Sequence, residues 1–256
     1  MNQNAVSALL LTIFAGISTG FGSVIALFAK RTNTKFLSLS LGFSAGVMLY
    51  VSMIEIFFKA KGYLVTAKGE LIGAWLCVIA FFGGMIIIGL IDYFIPSTES
   101  DIGSKNGNLN RMGVMTALAI GIHNFPEGMA TFTSALRDPK LGVAIAIAIA
   151  IHNIPEGIAT SLPIYFSTGD KKKAFIISFL SGITEPIGAI IGYLILRPFF
   201  NDIVFGMLFS SVAGIMVFIS LEELIPMAHE YEKSKITIIG VVIGMMVMAV
   251  SLLLFI

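Results

Sequence analysis

Charge is scarce in this chain. Lys, Arg, Asp and Glu make up 12% of the 256 residues, whereas hydrophobic residues make up 57% and the mean hydropathy is +0.95. Soluble globular domains are roughly 25% charged, so this composition excludes a water-facing globular surface. The net charge of +1 provides no basic field for phosphates, which excludes a nucleic-acid partner. The composition is that of a polytopic membrane protein surrounded by a lipid bilayer.

Cysteine is nearly absent as well. Cys77, the only cysteine, lies in an apolar run, so neither a disulfide framework nor a cluster of metal-binding thiolates is available. The residues from Met1 to Asn4 carry no positive side chain, and no small-residue cleavage site precedes Lys30. We therefore expect the first apolar run to be a membrane span of the mature protein rather than a cleaved signal peptide.

Long apolar runs fill most of the chain, and polar residues divide them into eight segments. A membrane-spanning helix needs about 20 mostly apolar residues. The sequence therefore predicts an all-α, polytopic membrane protein with eight transmembrane helices in a single domain over residues 1–256. The predicted spans are residues 5–29, 36–58, 71–95, 113–136, 141–166, 174–196, 204–227 and 236–256. Small residues four apart, such as Gly42 and Gly46, predict close packing between these helices.

Positive charge is distributed unevenly between the two sides of the membrane that these spans define. Of the 16 Lys and Arg residues, ten fall on one side and six on the other. Because cytoplasmic loops are enriched in Lys and Arg, we predict that the richer side is cytoplasmic. With an even number of spans, both termini are then extracytoplasmic, in a multi-pass protein of the cell (inner) membrane.

Two nearly identical hexapeptides interrupt the apolar runs of the fourth and fifth spans: HNFPEG at 123–128 and HNIPEG at 152–157. A charged side chain at the centre of a membrane helix costs about 2.5–3.5 kcal/mol on insertion scales, so a repeated set indicates function. Residues four apart share a helix face, so the histidine and the glutamate of each hexapeptide project together. The prolines, Pro126 and Pro155, predict kinks in both helices, which we expect to belong to an inner bundle.

Depth brings further groups to the level of the hexapeptides, because the midpoints of the second, fourth, fifth and sixth spans fall near residues 47, 124, 153 and 185. The groups at this level are two imidazoles, three carboxylates, two carboxamides and one thioether. They belong to Met48, His123, Asn124, Glu127, His152, Asn153, Glu156 and Glu185. Met48 also fits simple core packing, since the chain has 13 methionines.

These donors point to a divalent metal. Imidazole and carboxylate without thiolate are typical of Zn, Fe, Mn, Co and Cd sites, whereas Ca and Mg prefer oxygen cages. Three carboxylates carry a charge of about −3. One divalent ion neutralises this charge only in part, whereas two nearly neutralise it. The alternative is that the polar groups pair with one another and hold the helices together without a ligand.

Other polar residues lie above and below this level. Glu55, near the outer end of the second span, is a candidate for gathering cations at an entrance, or for an interfacial residue whose head group reaches water. Glu222, Glu223 and His229, at the inner end of the seventh span, are candidates for an exit or a regulatory site. Asp92 is expected to be an interfacial helix cap.

With these motifs the chain resembles the ZIP (Zrt-, Irt-like protein) family of divalent-metal transporters, closest to its bacterial ZupT-type branch. The resemblance covers essentially the whole chain. It rests first on HNFPEG and HNIPEG, and is supported by LGFSAGVML at 41–49, SGITEPIG at 181–188 and SLEELIPMA at 220–228. It implies a single eight-helix transporter domain with both termini outside, an inner bundle around a metal site and uptake of divalent metal into the cytoplasm.

The resemblance also implies which residues hold metal. One position would comprise Met48, His123, Glu127, His152 and Glu156. A neighbouring position would comprise Asn124, Glu127, Asn153, Glu156 and Glu185, so that Glu127 and Glu156 bridge the two. Family members are commonly homodimers and are thought to move a metal-carrying group of helices against a scaffold. Unlike many eukaryotic relatives, this chain has no histidine-rich stretch between Pro96 and Met112.

Three functions use these residues. The first is a metal importer without a cofactor other than the transported Zn, Fe, Mn, Co or Cd. The second is an intramembrane zinc-dependent hydrolase, in which bound zinc activates a water; the HExxH order is absent, and the many donors leave little need for an open position. The third is a proton-coupled metal exporter, because protons compete with metal for such ligands. We expect a transporter rather than an enzyme.

Overall fold

A computed structural model describes residues 3–30, 33–94, 105–137, 139–196, 201–232 and 235–253. These residues are helical almost throughout, and none of those described lies in a strand, which confirms the all-α prediction. They form eight continuous helical stretches, α1 to α8. The bounds are α1 Gln3–Leu27, α2 Thr34–Lys68, α3 Glu70–Phe94, α4 Lys105–Arg137, α5 Pro139–Thr168, α6 Lys171–Leu196, α7 Asp202–Tyr231 and α8 Ile236–Leu253.

Three of these stretches contain π-helical turns. They are Val51–Ile56 in α2, Gly192–Leu196 at the end of α6, and Ser220–Leu224 in α7. Single π-helical turns inside α-helices frequently occur at functional sites. Two of the three contain residues that the sequence analysis singled out, Glu55 and the pair Glu222 and Glu223.

Six of the eight helices are long and apolar enough to cross a membrane: α1, α2, α3, α6, α7 and α8. The other two described helices, α4 and α5, are the ones that carry the hexapeptides, whose imidazole, amide and carboxylate groups interrupt the apolar sequence. The structure thus supports a multi-pass membrane protein with at least six apolar spans.

Helix ends differ from the predicted spans where charge follows an apolar run. The second predicted span ends at residue 58, but α2 continues to Lys68 and ends at Gly69, whose φ is 81°. The fourth predicted span begins at residue 113, but α4 begins at Lys105. Lys and Arg favour helix almost as strongly as Leu does. The charged residues therefore mark the end of the apolar sequence, but the helix continues through them. The predicted connections from Lys59 to Glu70 and from Pro96 to Met112 are therefore largely helical where described.

The helices form two groups by their packing. The site group consists of α1, α4, α5 and α6, each of which packs against the other three. The frame group consists of α2, α3, α7 and α8, in which α2 packs on α8, α3 packs on α7, and the second half of α2 lies against both α3 and α7. The hexapeptides both belong to the site group, and α2 and α7 of the frame group lie beside α5 and α4.

Glycines bring the helices of each group into close contact. In the site group, a Cβ on Gly16, Gly22 or Gly128 would collide with a backbone carbonyl of a neighbouring helix; in the frame group, Gly46 and Gly84 are placed in the same way. Among the described glycines, every one whose added Cβ would collide with another helix faces a helix of its own group. This confirms the predicted packing role of the small residues and shows that it operates within each group.

The contact between the groups is mostly apolar and rich in methionine. A single buried cluster includes Met48 and Met216 from the frame group together with Met112 and Met115 from the site group. Methionine is unbranched and adapts its shape to its neighbours. The two groups therefore meet across an adaptable surface, whereas each is closely interlocked within itself.

Candidate functional site

The hexapeptides lie in the middle of α4 and α5, which are direct neighbours. Both helices continue through Pro126 and Pro155. The histidine, asparagine and glutamate side chains of both hexapeptides are buried, with exposed fractions of at most 7%. In the sequence these groups share a depth; in the structure they also face a common interior.

One carboxylate lies between the two imidazoles. Glu127 Oε2 is 3.1 Å from His123 Nε2, and Glu127 Oε1 is 3.0 Å from His152 Nε2. The first contact joins residues four apart on α4, and the second crosses to α5. The imidazole rings are 6.3 Å apart between their centroids. Glu127 therefore links the two helices as well as the two rings.

Glu156 contributes a second carboxylate from α5. Its Oε1 lies 3.8 Å from His123 Nε2, and ligand atoms of His123, His152 and Glu156 all lie within 4.8 Å of one another. Donor atoms held about 2.0–2.2 Å from one tetrahedral zinc ion are roughly 3.3–3.5 Å apart. The separations of 3.0 to 3.8 Å around Glu127, Glu156 and the imidazoles are close to that spacing. We call His123, Glu127, His152 and Glu156 the site cluster.

Most polar atoms of the site cluster lack a hydrogen-bond partner among the described residues. Both carboxylate oxygens of Glu156, Oε2 of Glu127 and all four imidazole nitrogens have no hydrogen-bond partner of acceptable geometry among the described residues. A buried polar group left in this way costs about 1–3 kcal/mol, and a charged group costs more. Among the described residues, the ion pairs of the two carboxylates are all to imidazoles. The cluster as a whole is short of positive charge, and a bound cation would supply it.

A second layer of polar groups adjoins the cluster and involves α1 and α6. Asn153 Nδ2 donates to the Ala15 carbonyl at 3.0 Å and to Glu185 Oε2 at 3.0 Å. Asn124 Nδ2 donates to the Ser181 carbonyl at 3.2 Å. Within the described ranges, the amide oxygens of Asn124 and Asn153 and Oε1 of Glu185 are buried and have no hydrogen-bond partner. Each amide thus commits its nitrogen to the protein and leaves its oxygen free.

The glycine that ends each hexapeptide sets the distance to the neighbouring helix. An added Cβ on Gly128 would collide with the carbonyl of Glu185, and one on Gly157 would collide with the carbonyl of Thr19. From the opposite side, Gly188 faces the carbonyl of Phe125 in the same way. The motif therefore combines donor side chains with a residue that lets α6 and α1 approach them.

Sequence reasoning did not find the part that α1 plays. Ala15 acts through its backbone carbonyl, which leaves no side-chain signal, and the same is true of Ser181. The signal that was present is the glycine at the same position of both hexapeptides, Gly128 and Gly157. A glycine repeated beside donor groups indicates a close helix approach.

Met48 is buried on α2, in the apolar cluster between the two helix groups. One turn earlier, Ser44 Oγ donates to the carbonyl of Pro155 at 2.8 Å, so this part of α2 touches the second hexapeptide. The structure thus brings the helix face of Met48 beside the site group. The predicted ligand role of its sulfur stays a prediction.

The predicted entrance and exit residues lie outside the site cluster. Glu55, in the π-helical turn of α2, forms an ion pair with Lys59. Glu222 and His229 are exposed on α7. Glu223 Oε1 is 3.9 Å from Arg111 Nη1, and Arg111 also binds Asp92. Asp92, expected to be an interfacial cap, is therefore a member of an ionic cluster that joins three helices.

The sequence is similar to known proteins in the region that carries these residues. A family model described as "ZIP Zinc transporter" matches residues 96–252, which include both hexapeptides. The chain is 59% identical to the zinc transporter ZupT of Oceanobacillus iheyensis, over 98% of this chain and 99% of that protein. It is also 59% identical to ZupT of Streptococcus mutans over the full length of both chains. ZupT of Clostridium perfringens is 57% identical over 99% of this chain and 98% of the relative.

Proposed function

The chain belongs to the ZIP family of zinc transporters, and we propose that it carries zinc across the membrane through the site cluster. It is a transporter of divalent metal and not an enzyme. The observation that carries the proposal is the convergence of two imidazoles and two carboxylates from facing helices, all buried and short of positive charge. Zinc accepts this mixed ligand set, and so do iron, manganese, cobalt and cadmium.

Two neighbouring metal positions are proposed. The first uses His123, Glu127, His152 and Glu156, with Met48 of the frame group as a further ligand. The second uses the free amide oxygens of Asn124 and Asn153 together with Glu185 and the two hexapeptide glutamates. Support for the second position comes from three buried oxygens without partners, Asn124 Oδ1, Asn153 Oδ1 and Glu185 Oε1. With three carboxylates at this depth, two divalent ions give near neutrality.

The proposed topology has eight spans, because α4 and α5 carry the transport site between the apolar helices. Both termini then lie outside, in the cell membrane, and the face richer in Lys and Arg is cytoplasmic. We propose net uptake towards the cytoplasm, with Glu55 near the entrance and Glu222, Glu223 and His229 near the exit. A homodimer, which the family resemblance implies, stays a prediction that cross-linking in native membranes would test.

Transport is tested in liposomes that contain a zinc-sensitive dye. Wild type should pass zinc, and the double variant Glu127→Gln/Glu156→Gln should not, because it keeps the shape of the site while removing both charges. The matched control is Glu70→Gln, which neutralises an exposed carboxylate at the first residue of α3. Equal and slow zinc passage through wild type and the double variant would refute the proposal. Opposite proton gradients imposed on the same liposomes distinguish proton-coupled from passive movement.

A further inference from the structure

An arginine joins the two helix groups at one end of the molecule. Arg111 lies on α4, twelve residues before His123. Its Nη2 donates to Asp92 Oδ1 at 2.6 Å and to the Asp92 backbone carbonyl at 2.9 Å, and its Nη1 is 3.9 Å from Glu223 Oε1. Asp92 is on α3 and Glu223 is on α7, both in the frame group. We call Asp92, Arg111 and Glu223 the Arg111 cluster.

The geometry makes this more than a surface ion pair. The side chains of Arg111, Asp92 and Glu223 are 26%, 24% and 11% exposed, so solvent screens them only in part. Asp92 lies in the last described turn of α3, which is described to Phe94, and Pro96, four residues later in the sequence, has no backbone N–H to donate to the Asp92 carbonyl. The guanidinium therefore caps the carboxyl end of α3 and pairs with a carboxylate of that helix and with one from α7.

The Arg111 cluster is a polar contact between the site group and the frame group, which otherwise meet across a mostly apolar surface. The close glycine contacts hold each group together internally, and the described glycines make none between groups. Between the groups lies the adaptable apolar surface that contains Met48, Met112 and Met115. A directional, charged contact on such a surface favours one relative position of the two groups over others.

We propose that Arg111 is an ionic latch: it holds the helix of the first hexapeptide to the frame group in the arrangement described here, and it must release for the site group to shift during transport. The inference rests on the proposed function. The contacts of Arg111 within the described residues are to Asp92 and Glu223 and not to the site cluster, so it acts on the position of α4 and not on the binding of metal. Its loss should change the rate of transport and leave the apparent affinity unchanged.

The first experiment compares Arg111→Gln and Arg111→Lys in the zinc-uptake assay. We expect Arg111→Gln to lower the maximal rate at least fivefold while the KM for zinc changes less than twofold, because the arrangement that the latch stabilises is no longer restored efficiently. Arg111→Lys, which keeps the charge, should retain at least half of the maximal rate. The partner variant Asp92→Asn/Glu223→Gln should resemble Arg111→Gln, and adding Arg111→Gln to it should cost no more than twofold further.

A change in KM alone, or a maximal rate of Arg111→Gln within twofold of wild type, would overturn the latch. Misfolding is separated by measuring zinc binding to the purified variants, which should be retained within twofold. If wild type itself fails to transport zinc, the proposed function fails. If wild type transports and Arg111→Gln does so equally, the latch alone fails.

The second experiment locks the latch. In a Cys77→Ser background, cysteines replace Asp92 and Arg111 and are joined by a short, reducible thiol cross-linker. Before cross-linking, this variant lacks the ionic contact and should transport at the reduced rate of Arg111→Gln. Cross-linking should lower that rate at least tenfold further, and reduction should restore it. The control pair is Ser38→Cys/Thr237→Cys, whose parent hydroxyls are 2.8 Å apart between α2 and α8 of the frame group. Cross-linking this pair should change transport less than twofold. Full transport by the cross-linked Asp92 and Arg111 positions would contradict the inference.

Discussion

The site cluster and the Arg111 cluster are built from the same kinds of charged groups but differ in what neutralises them. In the part of the chain that the structure describes, the carboxylates of Glu127 and Glu156 form ion pairs only with imidazoles, and most polar atoms of the site cluster lack hydrogen-bond partners. In the Arg111 cluster, the two carboxylates meet a guanidinium that belongs to the protein. On the proposed function, the first cluster is completed by a metal ion, whereas the carboxylates of the second are neutralised by an arginine of the same chain.

The difference shows how a membrane protein separates binding from positioning. A buried charge without a partner is unfavourable for the empty protein, which makes the same group a strong ligand for an added cation. A charge with a permanent partner binds nothing further but holds two elements in place. The predictions below test this contrast, beginning with the largest expected effect.

Removing the site carboxylates should abolish transport. In Glu127→Gln/Glu156→Gln, two charge-assisted contacts to the metal are lost, each worth about 1.5–3 kcal/mol, so uptake should fall at least about 100-fold. Initial rates of dye quenching in liposomes measure this. Glu70→Gln should retain the wild-type rate; a comparable loss there would show that the assay reports general damage instead of site chemistry.

The same double variant should have the opposite effect on the stability of the metal-free protein. A buried charge without enough positive charge beside it is unfavourable in the metal-free protein. Neutralising both carboxylates should therefore raise the unfolding temperature without metal by at least about 2 °C, the shift that about 1 kcal/mol produces in a protein of this size. Zinc should raise the unfolding temperature of wild type and not that of the variant.

Asp92→Asn/Glu223→Gln provides the contrast, since it leaves the Arg111 guanidinium without a charged partner. Its unfolding temperature should fall. If both double variants shift the unfolding temperature in the same direction, the distinction between the two clusters is wrong.

Asn153 should affect metal affinity both through the hydrogen bonds that its Nδ2 donates and through its free Oδ1. Asn153→Ala removes the donor to Glu185 and to the Ala15 carbonyl, and loss of such supporting partners typically costs about 10–100-fold in metal affinity. Zinc titration of the purified protein measures it. Ser181→Ala is the control, because Asn124 uses the backbone carbonyl of Ser181, which that change leaves in place.

Ser44→Ala should have the smallest effect. It removes the hydrogen bond from α2 to the Pro155 carbonyl, a neutral contact worth about 0.5–1.5 kcal/mol. The maximal uptake rate should therefore change no more than about tenfold. Ser52→Ala is matched to it, because Ser52 is buried on the same stretch and donates to the Met48 carbonyl within its own helix. If both changes lower the uptake rate equally, Ser44 acts only by stabilising its own helix and not through its contact with α5.

Much of the site was predictable because its chemistry is repeated in the sequence. Two hexapeptides with the same spacing predicted which side chains share a helix face, and the span midpoints predicted that Glu185 lies at the same depth. The arrangement of the helices was not predictable, since apolar sequence does not record which helices pack side by side. The division into a site group and a frame group therefore required the structure.

Other features lacked a local signal. Ala15 contributes a backbone carbonyl, and Arg111 was counted only as one positive charge near the end of a span. Its partner Asp92 lies nineteen residues earlier and Glu223 more than a hundred residues later, so no sequence spacing links them. Helix ends were missed where lysines continue a helix beyond the apolar stretch, as in the residues of α2 that follow Phe58.

The order of the helices along the chain has a consequence for biogenesis. The site group is interrupted, because α2 and α3 are synthesised between α1 and α4, and it becomes complete only when α6 has been inserted. The frame group is completed later, when α7 and α8 have been synthesised. During synthesis α2 and α3 must therefore remain in the membrane without α7 and α8, and their long apolar stretches suit that interval. The polar hexapeptides of α4 and α5, by contrast, are made after α1, against which both helices pack.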